Sequence, residues 1–158
     1  MSSAAAVLKP RPAAKAQVPR LALLGTGTVG SAFVARFQSL QQRQLPLPRF
    51  EWLANSRTAL ECAGDLDRTL SAANATPRGE PLLQPWAETT ALRAGDVLVD
   101  ATASDVVAGW HPEWLARGVH VVTANKLGQG AHWERAQAIR EAADAGGARY
   151  GDSATVGA

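Results

Sequence analysis

The sequence holds a single cysteine, Cys62. That excludes an internal disulfide and a cysteine-rich zinc site and gives no reason to place the chain in an oxidising compartment, so the cytoplasm is the expected location. No metal site is expected. No apolar run approaches the length of a membrane span. Residues 1–19, MSSAAAVLKPRPAAKAQVP, lack the continuous apolar core, roughly 7 to 15 residues, of a signal peptide and read as a flexible leader. Clustered basic residues are missing too. The formal charge is +2, but the leader holds Lys9, Arg11 and Lys15 and no acid, and the remaining 13 basic and 14 acidic residues nearly cancel. A nucleic-acid face needs clustered Lys and Arg, with aromatics for stacking on single strands, so no nucleic-acid partner is expected. No internal repeat is visible.

What the 158 residues do hold is ordinary globular composition, 46% hydrophobic and 19% charged, in a length that suits one domain. Residues 20–25 read as a short buried strand. TVGSAFVARFQSLQQR (28–43) then takes up helical spacing, with Val29, Ala32, Phe33, Arg36 and Phe37 recurring at three and four. The prolines of LPLP (45–48) end that helix, and RFEWLANS (49–56) reads as a second strand. From 57 to 95 the pattern is weaker: a helix over about 58–73, a turn at TPRGEP, and a short helix near 86–93. GDVLVDATAS (95–104) has the unbroken apolar centre of a parallel strand covered on both faces. A helix over 105–118 closed by Gly118, a strand at VHVVTANK (119–126) and a helix over 130–147 ending at Gly146 and Gly147 follow. Strands alternating with helices predict an α/β fold of Rossmann-like type, a mostly parallel sheet with helices on both faces. The closing ARYGDSATVGA starts like a strand and stops, as in a domain cut from something larger.

In LALLGTGTVGSAF (21–33) the strand runs into Gly25, Gly27 and Gly30 and then into the helix. That is the context in which such glycines hold a dinucleotide: the first for a tight turn, the second for close approach of a pyrophosphate, the third for packing of helix on sheet. Thr26, Thr28 and Val29 complete the turn and the amino end of the helix, whose amides and partial positive charge favour phosphate. The alternative is a purely structural turn. A site for unphosphorylated adenosine ribose usually ends its second strand in Asp or Glu. Here the strand ends in Asn55, Ser56 and Arg57, and a guanidinium suits a 2′-phosphate, so NADP is favoured over NAD unless Arg57 is merely solvated. Thr102, Ala103 and Ser104 leave the third parallel strand at the edge where cofactors sit, and Asp100, inside that strand, reads as a structural carboxylate. Thr123, Asn125 and Lys126 emerge from a hydrophobic strand, a poor place for polar residues unless something polar meets them. Lys126 there can donate to a substrate oxygen or to the cofactor, and Asn125 can orient it; a surface lysine is the plainer alternative.

Taken together, LALLGTGTVGSAF, VLVDATAS, GVHVVTANKLG and the closing SATVGA resemble the nucleotide-binding half of homoserine dehydrogenase, especially the form fused to aspartokinase in bacterial bifunctional enzymes. The resemblance covers roughly residues 20–158. It implies reversible NADPH- or NADH-dependent reduction of L-aspartate 4-semialdehyde to L-homoserine, on the path to threonine, methionine and isoleucine. It further implies that the glycines hold the pyrophosphate, that Thr102 and Ser104 border the nicotinamide, and that Lys126 is the catalytic lysine of the NK pair. The family builds a second, substrate-binding domain after TVGAG and pairs as a homodimer through it; a chain without that domain is expected to be inactive alone. Relatives carry Glu where this chain has Ser153, with Asp152 just ahead of it. His111, His120 and His132 match no family role and read as structural or exposed. Another semialdehyde or aspartate oxidoreductase, or a stand-alone nucleotide-binding module, is the competing reading.

Overall fold

A computed structural model describes residues 17–79 and 91–152. The strands are β1 (Arg20–Leu24), β2 (Arg49–Ala54), β3 (Ala59–Glu61), β4 (Val97–Asp100), β5 (His120–Thr123) and β6 (Tyr150–Gly151). The helices among the described residues are α1 (Thr28–Gln42), α2 (Leu66–Ala75), α3 (Asp105–Ala116) and α4 (Trp133–Gly146). One sheet runs in the order β3-β2-β1-β4-β5-β6. All neighbours are parallel except β2 and β3. The expected mostly parallel Rossmann-like sheet is therefore present.

Alternation along β1 explains why both faces are covered. Leu21 and Leu23 point into a core with Val34 and Phe37 of α1 and Leu66 and Ala73 of α2. Ala22 and Leu24 point the other way, into a core with Val107, Trp114 and Leu115 of α3 and Ile139 of α4. A strand buried on both sides must be apolar at successive positions, which is what LALL supplies. Phe37 stands edge-on to Phe50 with ring centroids 5.2 Å apart, joining α1 to β2.

The expected helix over 58–73 is corrected by the structure. Asn55 Oδ1 accepts from the amides of Arg57 and Thr58 at 2.8 and 3.0 Å, which reverses the chain and lets β3 pair antiparallel with β2. Only after Gly64, at φ +102°, does Asp65 cap α2 by accepting from the Arg68 amide. The side chain of Asn thus wins locally over helical periodicity. Gly118 (φ +83°) closes α3 and Gly147 (φ +63°) closes α4 as expected. Of the short helix near 86–93, residues 91–93 form a turn and the remainder lies outside the described residues. The same holds for residues 80 and 81 of the TPRGEP turn, for the leader before residue 17, and for the segment from Ser153 onward.

At the amino end of the sheet Arg20 is tied to Asp96, Nη2 to Oδ2 at 2.7 Å, while its guanidinium also donates to the Ala91 carbonyl and lies 4.8 Å from the Trp52 ring centroid. Burial pushes the Asp96 carboxyl up, but hydrogen bonds from the Arg20 side chain and from the Arg93 and Arg20 amides outweigh it and hold the group below its usual 3.8. A carboxyl with a lowered folded-state value contributes stability above pH 3.8 that is lost as pH falls through the folded value. Denaturant melts from pH 6 down to pH 2 are therefore expected to show a shallower acid loss of stability in Asp96→Asn than in the unaltered chain.

Candidate functional site

The sheet order reverses at β1, whose neighbours β2 and β4 lead away in opposite directions, and in open α/β sheets ligands bind outside the carboxyl ends of the strands at that point. A cleft of about 590 Å³ opens there. Gly25, Thr26 and Gly27 line one side, Asn55, Ser56 and Arg57 one end, and Ala101, Thr102, Ala103 and Ser104 the other side. Val106, Val107 and Trp110 of α3 add an apolar wall.

The three glycines differ in what they meet. Gly25, at φ +101°, turns so close to β4 that a Cβ would come within 2.7 Å of the Ala101 carbonyl oxygen. A Cβ on Gly30 would overlap the Gly25 carbonyl, so α1 reaches the strand only without a side chain there. Over Gly27 nothing lies within 4 Å of where a Cβ would stand. Gly27 is also the N-cap of α1, and no side chain caps that helix. Amides in its first turn thus open toward the cleft with no side-chain acceptor, the arrangement that favours an anion. Thr28 and Val29 are exposed in that turn.

Around the glycines the polar side chains mostly serve each other. Thr26 Oγ1 donates to Asn74 Oδ1 at 2.7 Å and accepts from Asn55 Nδ2 at 2.9 Å. Asn55 also donates to the Ala73 carbonyl, so the end of β2, the glycine turn and the end of α2 are one unit. Ser56 and Arg57 protrude from it and share a second hollow, about 500 Å³, with Arg78 and Gly79. Arg57 thus borders both the cleft and this hollow, and Arg78 the hollow alone. Arg78 was not read from the sequence; an arginine beside a glycine in a weakly patterned segment carries no signal of its own.

On the other side Asp100 organises the strand ends. Its Oδ1 accepts from the Thr102 amide (2.9 Å) and the Thr102 hydroxyl (2.7 Å), and its Oδ2 lies 2.7 Å from His111 Nε2 and 3.1 Å from Asn125 Nδ2. Asp100 and His111 are fully buried. Ser104 Oγ caps α3 through the Val107 amide, and Asn125 donates to the Ser104 carbonyl. Thr123, also buried, accepts from the Asn125 amide and donates to the Asp100 carbonyl. What meets the polar residues at the end of β5 is therefore a buried carboxylate and its partners. Lys126 is exposed, and with Asn125 it borders a separate hollow of about 510 Å³ lined also by Gln129, Tyr150 and Asp152.

Of the residues singled out in the sequence, Gly25, Thr26, Gly27, Ser56, Arg57, Thr102, Ala103 and Ser104 meet in the large cleft, and Asn125 and Lys126 in the neighbouring one. Gly30 and Thr123 lie behind these surfaces. The Val106 and Trp110 wall was missed, although its spacing of four on one helix was the available signal. His111 is buried against Asp100, His120 Nδ1 accepts from the Arg149 amide at 2.9 Å, and His132 precedes α4 without a side-chain cap bond. Among the described residues no group of three His, Cys, Asp or Glu side chains is placed to hold a metal.

Comparison with known proteins decides the family. The model for "Homoserine dehydrogenase, NAD binding domain" matches residues 25–151. The chain belongs to this family. It is 29% identical over 150 residues to bifunctional aspartokinase/homoserine dehydrogenase 2 of Escherichia coli K12, covering 87% of this chain and 18% of that protein. It is 40% identical over 62 residues to the chloroplastic bifunctional enzyme 1 of Zea mays, covering 39% of this chain and 7% of that one. The fold superposes on homoserine dehydrogenase from Thermoplasma acidophilum with a TM-score of 0.66 at 22% identity, over 87% of this chain and 43% of that one. A hyperthermophilic archaeal homoserine dehydrogenase solved in complex with NADPH gives 0.64 at 20% identity, over 87% and 44%. The chain thus spans less than half the length of the family proteins it resembles.

Within this fold the Asp100 network ties the exits of β4 and β5 to α3. Replacing the carboxylate by an amide in Asp100→Asn sets an NH₂ group against converging donors. The expected cost is about 3 kcal/mol in denaturant unfolding, whereas Asp105→Asn, which loses an exposed pair with Arg135 at the start of α3, is expected to leave the unfolding midpoint nearly unchanged.

Proposed function

We propose that this chain is the cofactor-binding part of a cytoplasmic homoserine dehydrogenase that uses NADP in preference to NAD, and that with a substrate domain it reduces L-aspartate 4-semialdehyde reversibly to L-homoserine. The observation that carries the cofactor half of this reading is the open backbone over Gly27 at an uncapped helix start, beside a cleft that ends at Arg57, which also borders the second hollow with Arg78. These residues fit a phosphorylated dinucleotide. Gly25 to Gly30, with Thr26, Thr28 and Val29, would hold the pyrophosphate through amides. Ser56 and Arg57 would take the 2′-phosphate, with Arg78 adding charge from across the hollow. The lack of an acid at the end of β2 removes the usual acceptor for free ribose hydroxyls, since Asn55 spends its amide on Thr26 and on the turn.

The reduced nicotinamide, when bound, supplies a hydride to the aldehyde carbon. The chain's own part is to fix distances and meet charge. The backbone of Thr102, Ala103 and Ser104 would border the nicotinamide side; the Thr102 and Ser104 hydroxyls are already used to hold that backbone. Lys126, at the mouth of the neighbouring hollow, donates toward the oxygen on which negative charge develops, and Asn125 and Thr123 set its backbone. The product oxygen also needs a proton, and the family resemblance implies that groups for it would lie partly on a substrate domain. The family resemblance supports a homodimer built through that second domain, and this chain alone is expected to bind cofactor and not turn over.

Calorimetric titration of the 158-residue chain tests this. NADPH is expected to bind tighter than NADH, and Arg57→Ala to weaken NADPH roughly 10- to 100-fold while leaving NADH nearly unchanged, the loss of a charge-assisted phosphate contact. Equal affinities for the two cofactors, unaltered in the variant, would contradict the phosphate assignment; no binding of either would contradict the cofactor reading itself.

A further inference from the structure

The turn that carries Lys126 is supported from beneath by two side chains of other elements. Gly128, buried in that turn, faces them: a Cβ there would overlap the Tyr150 hydroxyl and stand 3.1 Å from His111 Nδ1. Tyr150 Oη and His111 Nδ1 are themselves 3.0 Å apart, and on the far side of the ring His111 Nε2 is 2.7 Å from Asp100 Oδ2. Tyr150 of β6, His111 of α3 and Asp100 of β4 therefore form one string that ends at the carboxylate already holding Thr102 and Asn125.

The string has a direction. Asp100, as a carboxylate, only accepts, so the ring nitrogen facing it, Nε2, carries hydrogen. With hydrogen on Nε2 alone, Nδ1 is an acceptor placed for the Tyr150 hydroxyl. Burial, then the charges of Asp152 and Asp100, push the Tyr150 phenol above its usual range, which keeps it protonated as this donor. An alanine in place of Gly128 would press on the Tyr150 hydroxyl, so the turn packs directly on these two side chains.

We propose that His111 and Tyr150 are positioning residues: through the Tyr150–His111–Asp100 string they set the turn bearing Lys126 and couple it to Thr102 at the edge of the large cleft. Their importance for turnover rests on the reading of Lys126 given above; the mechanical coupling does not. One carboxylate thereby aligns both walls of the site, Thr102 directly and the Lys126 turn through Asn125 on one side and the His111–Tyr150 pair on the other.

Lysine occurs only at positions 9, 15 and 126, so Lys126 can be followed in the whole chain. Reductive methylation with ¹³C-formaldehyde gives each lysine a resolved NMR signal, assigned for Lys126 by its loss in Lys126→Arg, and amine-labelling rates follow by mass spectrometry. ¹⁵N shifts of the unaltered chain are expected to show His111 with hydrogen on Nε2. Tyr150→Phe, which keeps the ring and removes the hydroxyl, is expected to move the His111 Nδ1 signal and the Lys126 methyl signal, and to change the Lys126 labelling rate about fivefold, the worth of one hydrogen bond. The Lys9 and Lys15 signals should stay still. His111→Gln, which keeps a donor toward Asp100, should preserve more of the original Lys126 signal than His111→Phe. Should a string variant fail to fold, Gly128→Ala, which removes no bonding group but pushes the turn and the Tyr150 hydroxyl apart, is expected to displace the same signal. A Lys126 signal and rate unchanged in folded Tyr150→Phe, or in folded Gly128→Ala, would overturn the proposal, as would hydrogen on Nδ1 of His111. NADPH titration of the unaltered chain is read separately: absence of binding counts against the cofactor reading and leaves the positioning result standing.

Discussion

The carboxylate of Asp100 is the constraint on which the rest of the site depends. It sits at the end of a central strand with no exposed surface, and an unpaired charge there would cost more than the chain can supply. Four donor groups converge on it, from Thr102, from His111 and from Asn125. The three residues belong to different stretches of chain: the exit of β4, the middle of α3 and the exit of β5. Satisfying one buried charge therefore fixes the relative placement of three segments that border the clefts, and a looser site would leave the carboxylate underbonded.

A second constraint, steric this time, acts on the other side of the sheet reversal. Gly25 and Gly30 are small because backbone from Ala101 and from Gly25 itself occupies the space a side chain would need. Gly27 is small with nothing beside it, a contrast that separates glycines demanded by packing from the one that leaves room for a ligand. The hydrogen bonds among Thr26, Asn55 and Asn74 then hold that turn against the ends of β2 and α2. The cleft is a gap between two internally satisfied units, walled also by Val106, Val107 and Trp110.

Much of this was legible in the sequence because period and glycine spacing report on packing directly. The apolar LALL and VLVD runs, the change to helical spacing after Gly27, and Gly118 and Gly147 after α3 and α4 each leave a local trace. Other features leave none. Segment 58–73 has a helix-compatible composition, yet Asn55 turns the chain by bonding two amides ahead of it, and β3 forms because β2 presents an edge. The pairing of Asp100 with His111, and of His111 with Tyr150, joins residues 11 and 39 positions apart. Periodicity carries no information about such partners. The polar residues of TANK were visible as misplaced in an apolar strand, but only the fold shows that Asp100 is what they meet.

The central claim is that a phosphorylated dinucleotide lies along the glycine turn, between the end of β2 and the exit of β4. Amide ¹H–¹⁵N spectra of the chain, recorded as NADPH is added, test it most directly. The account predicts that the perturbed signals gather at Gly25 to Gly30, Ser56, Arg57 and Ala101 to Ser104, with α4 beyond its first turn unmoved. Perturbations centred elsewhere, or none at these residues at saturating NADPH, would contradict it.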